Sequence, residues 1–261
     1  MSIDYLATIN AHPRDKNITF QEEGHKYTVC GESDYTSVTT WIHSFIENFD
    51  ADKIITNMME SKNWKTSKYY GKTREEIKAI WDANRDCASS AGTKLHYDIE
   101  CKYNGMEVDN QSLEFGYFTE FYNRYSHLIP YRTEMLVYFE DLKLSGSIDM
   151  VFKCEDETFE IYDWKRCREI TKVSKFNKWM KHPAVDHLPD TNYWHYALQL
   201  NTYKAILMEK YGMKVGNLYL VVLHPDNDTY LRIQVVDLQN EVRMLFNDRL
   251  NNLNNLNNLN I

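Results

Sequence analysis

Proline and glycine are scarce, at five and nine of 261 residues. No stretch rich in Pro, Gly or Ser divides the chain. A single domain over residues 1–249 is therefore expected, with an N-terminal part to about residue 90 and a core over about 91–240. No apolar run approaches the length needed to cross a bilayer, and the first twenty residues lack a basic-then-apolar signal pattern, so a soluble, intracellular protein is expected, with no membrane partner. Cysteine is also sparse. Cys30, Cys87, Cys101, Cys154 and Cys167 are odd in number and contain no CxxC pair, which fits small thiols in a reducing compartment better than disulfides or zinc. A basic excess is missing too: the net charge of −8 argues against a general nucleic-acid coat.

Aromatic residues are plentiful. Nineteen Tyr, eleven Phe and six Trp supply much of the area for a core. Positive charge is concentrated in one place. Between Trp164 and His182 stand Lys165, Arg166, Arg168, Lys172, Lys175, Lys178 and Lys181, opposed only by Glu169. This is a local excess of six positive charges, and it leaves the rest of the chain with an excess of fourteen negative ones. A basic stripe on an acidic body is the pattern of a localised phosphate contact, although any one of these lysines fits a solvated face as well.

Hydropathy periods give a coarse order of elements. Ile18 to Val29 alternate around Glu23-Gly24, as in a hairpin. Thr36 or Ser37 is placed to cap a helix through Trp41 to Phe49. Thr73 and Glu76 form a capping box ahead of Ile77, Ile80 and Trp81. Further helices are expected from Gly92 past Glu100 and over Leu113 to Tyr125. The period then falls to two, in Met135-Val137-Phe139, Ile148-Met150-Phe152 and Phe159-Ile161, which reads as a three-stranded meander. A long helix from about Asn192 to Tyr211 follows. Two strands, Leu218 to Leu223 and Tyr230 to Val236, flank the turn His224 to Asp228, and a final helix starts near Leu238. The Leu-Asn-Asn repeat over 250–261 is expected to be low-complexity and frayed, because Asn is a poor helix former.

Asp163 and Lys165 interrupt this pattern in a specific way. They share strand parity with Phe159 and Ile161, so they are expected to face an apolar side, where ionised groups are costly unless paired or bound to a cation. Asp149 lies on the preceding strand. Carboxylates at adjacent strand ends with a lysine beside them are the parts needed to hydrolyse a phosphodiester with a divalent cation. Taken alone, D-x-K is a weak signal and reads better as an ordinary salt bridge at a strand end. His96 and Glu100, four apart on one helix, and Gln199 and Tyr203, four apart on another, read individually as polar edges.

In their order along the chain, Gly92 to His96 (G-x-x-x-H), Gly146 to Asp149 (G-x-x-D), Asp163 to Lys165 (D-x-K) and Gln199 to Tyr203 (Q-x-x-x-Y) resemble the motifs of RecB-like and lambda-exonuclease-type members of the PD-(D/E)XK nuclease superfamily. The resemblance covers about residues 90–205. It implies an α/β restriction-endonuclease-like core, with a central mixed sheet containing an antiparallel meander and flanked by helices. It also implies one or two Mg²⁺ or Mn²⁺ ions held by His96, Asp149, Asp163 and the backbone carbonyl of Trp164. Lys165 would act on the attacking water, and Gln199 and Tyr203 would brace the site or touch DNA. Glu134 resembles a further acidic contributor, with a surface charge as the alternative, and Glu100 stands behind the site. Arg166, Lys172, Lys175, Lys178 and Trp179 would contact DNA. So would Ser37, whose segment resembles an element near the DNA end.

Several departures narrow the resemblance. Ile148 stands where the family name has proline, and the literal Pro189-Asp190 and Pro225-Asp226 pairs have no D/E-x-K at a suitable distance. No cysteine follows Cys167, so the iron–sulfur cluster of CRISPR-associated relatives is not expected. The implied activity is an exonuclease on DNA ends, with a catalytically silent DNA-binding module and an endonuclease as alternatives. A homo-oligomer and a helicase partner both remain open. The Asn- and Lys-rich composition suits an AT-rich genome such as that of a large DNA virus.

Overall fold

The computed structural model describes residues 2–259. Its centre is a mixed six-stranded sheet with helices on both faces. The N-terminal third supplies helix α1 (Tyr5–Ile9), the hairpin β1 (Ile18–Gln21) and β2 (Lys26–Val29), the short strand β3 (Thr36–Ser37), and helices α2 (Val38–His43) and α3 (Ala51–Glu60). Helices α4 (Arg74–Tyr103) and α5 (Leu113–Arg124) follow. Strands β4 (Ile129–Phe139), β5 (Leu144–Lys153) and β6 (Phe159–Lys165) form the meander. The chain closes with α6 (Asn192–Lys210), β7 (Val215–Val222), β8 (Leu231–Gln234) and α7 (Gln239–Leu259).

The meander pairs antiparallel, as its period of two requires, whereas β6 runs parallel to β7 and β3 parallel to β5. Both faces of the sheet are apolar. Alternate residues of β6 and β7, such as Ile161, Leu218 and Leu220, meet α2, α6 and α7. The intervening Tyr162, Trp164, Tyr219 and Val221 meet α4 and α5. At about 25 cal/mol per Å² of apolar surface, this two-sided burial is the main source of stability.

Three expectations are corrected. The two helices expected around residues 73–81 and 92–100 are one 30-residue helix, α4, started by the reciprocal Thr73–Glu76 capping box. No proline intervenes, and Gly92, at a cost of about 1 kcal/mol relative to alanine, cannot by itself end a helix held at both ends. Helix α2 stops at His43, short of Phe49, where the Ser44 hydroxyl donates to the Trp41 carbonyl at 2.6 Å. The Leu-Asn-Asn repeat continues α7 to Leu259 instead of fraying at residue 250. Upstream, Val242, Leu245 and Phe246 are buried in the core, and Arg249 donates to the carbonyls of Leu142 and Lys143, so packing overrides the weak propensity of asparagine. Asn260 and Ile261 lie outside the described residues.

Candidate metal centre

Strands β5 and β6 stay together only from Met150↔Tyr162 to Lys153↔Phe159. Beyond Tyr162, β6 runs on to Lys165 beside β7 alone, while β5 at Leu144 and Ser145 has β3 as its neighbour. Gly146 to Asp149 therefore face a fork in the sheet. Asp149 bridges it: its Oδ2 accepts the Trp164 N–H at 2.9 Å, so a side chain replaces a missing strand partner.

The backbone turns over at the same level. Ile148 belongs to the core against α6, yet Met150, two residues on, belongs to the core against α4 and α5. An unbroken strand would put both on one face. In the β4–β5 register, Thr133↔Met150 and Met135↔Ile148 bracket Glu134 against Asp149. Glu134 has φ +42°, a left-handed conformation uncommon for a residue with a side chain. Strain of this kind persists where the surroundings enforce it and clusters at functional positions.

The turnover brings His96, Glu134 and Asp149 together, with ligand atoms of all three within 4.8 Å of one another. His96 reaches over from α4. Its Nε2 lies 2.9 Å from the Trp164 carbonyl, which can only accept, so Nε2 carries the hydrogen. Its Nδ1 faces Asp149 at 3.6 Å and Glu134 at 3.9 Å. The other oxygen of Glu134 accepts from the Ser147 hydroxyl at 2.7 Å. Burial alone would lower the His96 pKa, but the charges of Asp149 and Glu134 outweigh it and lift the value to about 9.

Asp163 and Lys165 follow strand parity onto the α6 face. Asp163 is buried, and its Oδ2 meets Lys165 Nζ at 2.7 Å in a close ion pair. Lys165 Nζ also lies 4.6 Å from the centre of the Tyr196 ring. Burial opposes its charge, but Asp163 and Asp149 outweigh that and hold the ammonium above its ordinary range. Asp163 is pushed up to about 6, chiefly by burial, with Asp149 adding to the rise and Lys165 opposing it. Asp149 is raised as well, again by burial first. Glu100, one turn beyond His96, reaches about 7 through burial, then through Glu134 and Asp4.

Tyr203 explains Gly146. A β-carbon at Gly146 would come within 2.7 Å of the Tyr203 ring and hydroxyl. The G-x-x-D and Q-x-x-x-Y segments are thus in van der Waals contact, Tyr203 filling the space of a side chain three residues before Asp149. Burial pushes the Tyr203 hydroxyl well above its ordinary range. Gln199, a turn earlier on α6, is half-buried.

The remaining sequence candidates have partners outside this cluster. Ser37 caps α2, accepting from the Thr40 N–H at 3.1 Å. Arg166 pairs with Glu114 of α5 at 2.7 Å. Lys172 lies over the Tyr193 ring, Lys175 is 3.5 Å from Glu169, and Lys178 is 2.8 Å from Glu47. Trp179 is half-exposed. Sequence reasoning missed Ser147, which lies inside the G-x-x-D motif, and Tyr196, which lies three residues before Gln199. It also missed Tyr27 of β2, whose hydroxyl is pushed up by burial and then by Glu134 and Asp149. No spacing rule connects a hairpin residue to a strand so far away in the chain.

No known family model matches the chain, and no curated protein does. Among solved structures it is similar to one described as the crystal structure of SSO0001, at 14% identity over 86% of this chain and 78% of that one, with a TM-score of 0.32. Among the described residues, no helix is long and apolar enough to cross a membrane.

Proposed function

We propose that the chain is a metal-dependent nuclease with a PD-(D/E)XK-type core, hydrolysing phosphodiester bonds of DNA and acting at ends. The observation that carries this reading is the His96–Glu134–Asp149 cluster at the fork of the sheet, with the buried Asp163–Lys165 pair on the next strand.

The donor set suits a hard divalent cation such as Mg²⁺ or Mn²⁺: carboxylate oxygens from Glu134 and Asp149, one imidazole nitrogen, and Asp163 close behind. His96 is oriented as metal-binding histidines usually are, with one ring N–H donated to a backbone carbonyl and the other nitrogen turned to the carboxylates. When bound, the cation would polarise the phosphoryl oxygen and lower the pKa of a water.

The other tasks fall to the chain itself. Asp149 has two jobs, since one of its oxygens holds the Trp164 N–H and thereby keeps β6 in place across the fork. The Lys165 ammonium, kept charged by Asp163 and steadied over Tyr196, is placed to orient the attacking water or to offset charge growing on the phosphate. Tyr203 against Gly146 fixes the strand segment that leads to Asp149.

The test is degradation of end-labelled linear DNA alongside closed circular DNA in Mg²⁺ or Mn²⁺. The reading predicts loss of the linear form only, no reaction in EDTA, and no reaction for Asp163→Ala. Full activity in EDTA, or undiminished activity of Asp163→Ala, overturns the metal mechanism. Cutting of the circle makes the enzyme an endonuclease.

A further inference from the structure

Between the end of β6 at Lys165 and the start of α6 at Asn192, residues 166–191 form neither helix nor strand. Connections longer than about 15 residues are uncommon in compact domains and usually carry function. This one is pinned to the elements that build the site. Trp194 donates to the Lys172 carbonyl at 2.9 Å, and Lys172 Nζ lies 4.3 Å from the centre of the Tyr193 ring. Lys165 lies over Tyr196 on the same helix. Tyr193 and Tyr196 lie three apart on α6, so the first lysine of the loop and the lysine of the site are held over neighbouring positions of one helix.

Farther along, the loop leaves large apolar groups in solvent. Phe176 is 83% and Trp179 48% exposed. Trp179 is nevertheless held in place, its Nε1 donating to Asn177 and its backbone bridged to Pro189. The loop then meets the segment after α2: Lys178 pairs with Glu47 at 2.8 Å, and the Lys181 N–H donates to the Phe45 carbonyl at 2.8 Å. Just beyond lies Phe49, 73% exposed, its ring 6.0 Å from that of Trp81. Together they wall a groove of about 470 Å³ that Lys78, Asp82 and Arg85 also line, Lys78 paired with Asp52 and Arg85 with Asp82, so its aromatics and not its charge suit a base.

We infer that this loop and the Phe49–Trp81 groove form one track that holds a single DNA strand as it leaves the metal centre, with bases stacked on Phe176, Trp179 and Phe49 and phosphates met by Lys172 and Lys178. The inference rests on the nuclease reading and adds to it a strand preference. Exposed aromatics set among cations fit a single strand because its bases offer free faces, whereas in a duplex those faces are already stacked on one another. The aromatics carry this choice more than the cations do, since Lys178 is already paired with Glu47 and would exchange that partner for a phosphate.

The test is fluorescence anisotropy of labelled oligo(dT) of increasing length, and of a matched duplex, all in EDTA so that nothing is cut. Wild-type protein should bind oligo(dT) more tightly as length increases until the track is covered. Phe176→Ala with Trp179→Ala should weaken this by about tenfold per aromatic and leave duplex affinity within about twofold. Phe49→Ala should weaken only the longer oligonucleotides. Circular dichroism and thermal midpoints establish that each variant is folded, which the exposure of these side chains leads us to expect. The inference is overturned if wild-type protein does not bind oligo(dT), if the aromatic variants bind it unchanged, or if they lose duplex and single strand equally. The two proposals fail separately: tight, aromatic-dependent binding by a wild-type protein that never cuts DNA in Mn²⁺ would sink the nuclease reading and leave the track standing.

Discussion

The acidic fork and the basic loop meet at Lys165 but are built in opposite ways. At the fork, like charges are crowded together: Glu134 and Asp149 share one histidine, Asp163 is buried, and each of these groups is fixed by strands or by α4. In the loop, four of the six cations have been given an acid. Arg166 has Glu114, Arg168 has Asp226 at 3.9 Å, Lys175 has Glu169 and Lys178 has Glu47. Concentrated charge is costly to bury unless it is paired or bound. Charge with ready partners at the surface contributes little to stability and contacts a polyanion weakly and reversibly. The stripe that looks strongly basic in the sequence is thus a modest electrostatic feature, and its exposed aromatics distinguish it more than its lysines do.

The comparison breaks most sharply at the fork. Asp149→Ala, Asp163→Ala or Lys165→Ala should each lower the rate of linear DNA hydrolysis by about a thousandfold or more, the scale of several kcal/mol of lost transition-state stabilisation, as read by release of labelled nucleotide. Glu134→Gln should fall in the same class. Retention of normal rates in Glu134→Gln would return Glu134 to the role of a surface charge and leave Asp163 as the second carboxylate.

Next comes the packing that holds the fork. Gly146→Ala forces a methyl group to within 2.7 Å of Tyr203, and overpacking of this kind should cost about 1–3 kcal/mol in denaturant unfolding. Adding Tyr203→Leu, whose shorter side chain ends before the clash, should recover part of the loss. A double-mutant cycle with no coupling would mean that the contact does not constrain the strand.

The unusual acid–base character of the fork gives a smaller effect with a definite sign. In the metal-free folded chain His96 keeps its proton up to about pH 9, against an ordinary value of 6.5. Its contribution to stability is therefore complete below 6.5 and gone above 9. Asp163, raised from 3.8 to about 6, and Glu100, raised from 4.5 to about 7, hold protons more tightly folded than unfolded, so each also removes stability as pH rises through its window. Thermal midpoints in EDTA should fall from pH 6.5 to 9, and His96→Gln should flatten that slope. Midpoints that rise over this range would contradict the assignment.

The smallest effect belongs to the loop. Lys175 is exposed and paired only with exposed Glu169, so Lys175→Ala should change oligonucleotide affinity by less than about threefold at physiological salt. A large loss would show the stripe to be more than a set of local pairs.

Much of this contrast was legible in the sequence, for identifiable reasons. Strand parity placed Asp163 and Lys165 on the face opposite Trp164, because alternation is a rule of covalent geometry. Helical spacing placed His96 on α4 without revealing that α4 continues unbroken from Arg74, since the small and polar residues between Trp81 and Gly92 carry no apolar period to follow. Glu134 was a poor candidate because its arrival at His96 depends on a left-handed φ in the middle of a strand, which no residue pattern announces. The neutralisation of the loop was invisible for another reason: Glu47, Glu114 and Asp226 come from three distant segments, and only the fold brings them to the cations. The reason for Gly146 was likewise absent, since the ring that needs its space is supplied by α6.

Calorimetric titration of Mn²⁺ at pH 7, into wild-type protein and into Asp149→Asn, tests the central claim most directly. The account predicts one or two ions bound by the wild type, with release of protons as His96 gives up the one it holds, and loss of that binding in Asp149→Asn with the fold intact by circular dichroism. A wild-type protein that binds no Mn²⁺, or an Asp149→Asn protein that binds it equally well, would contradict a metal centre at the fork.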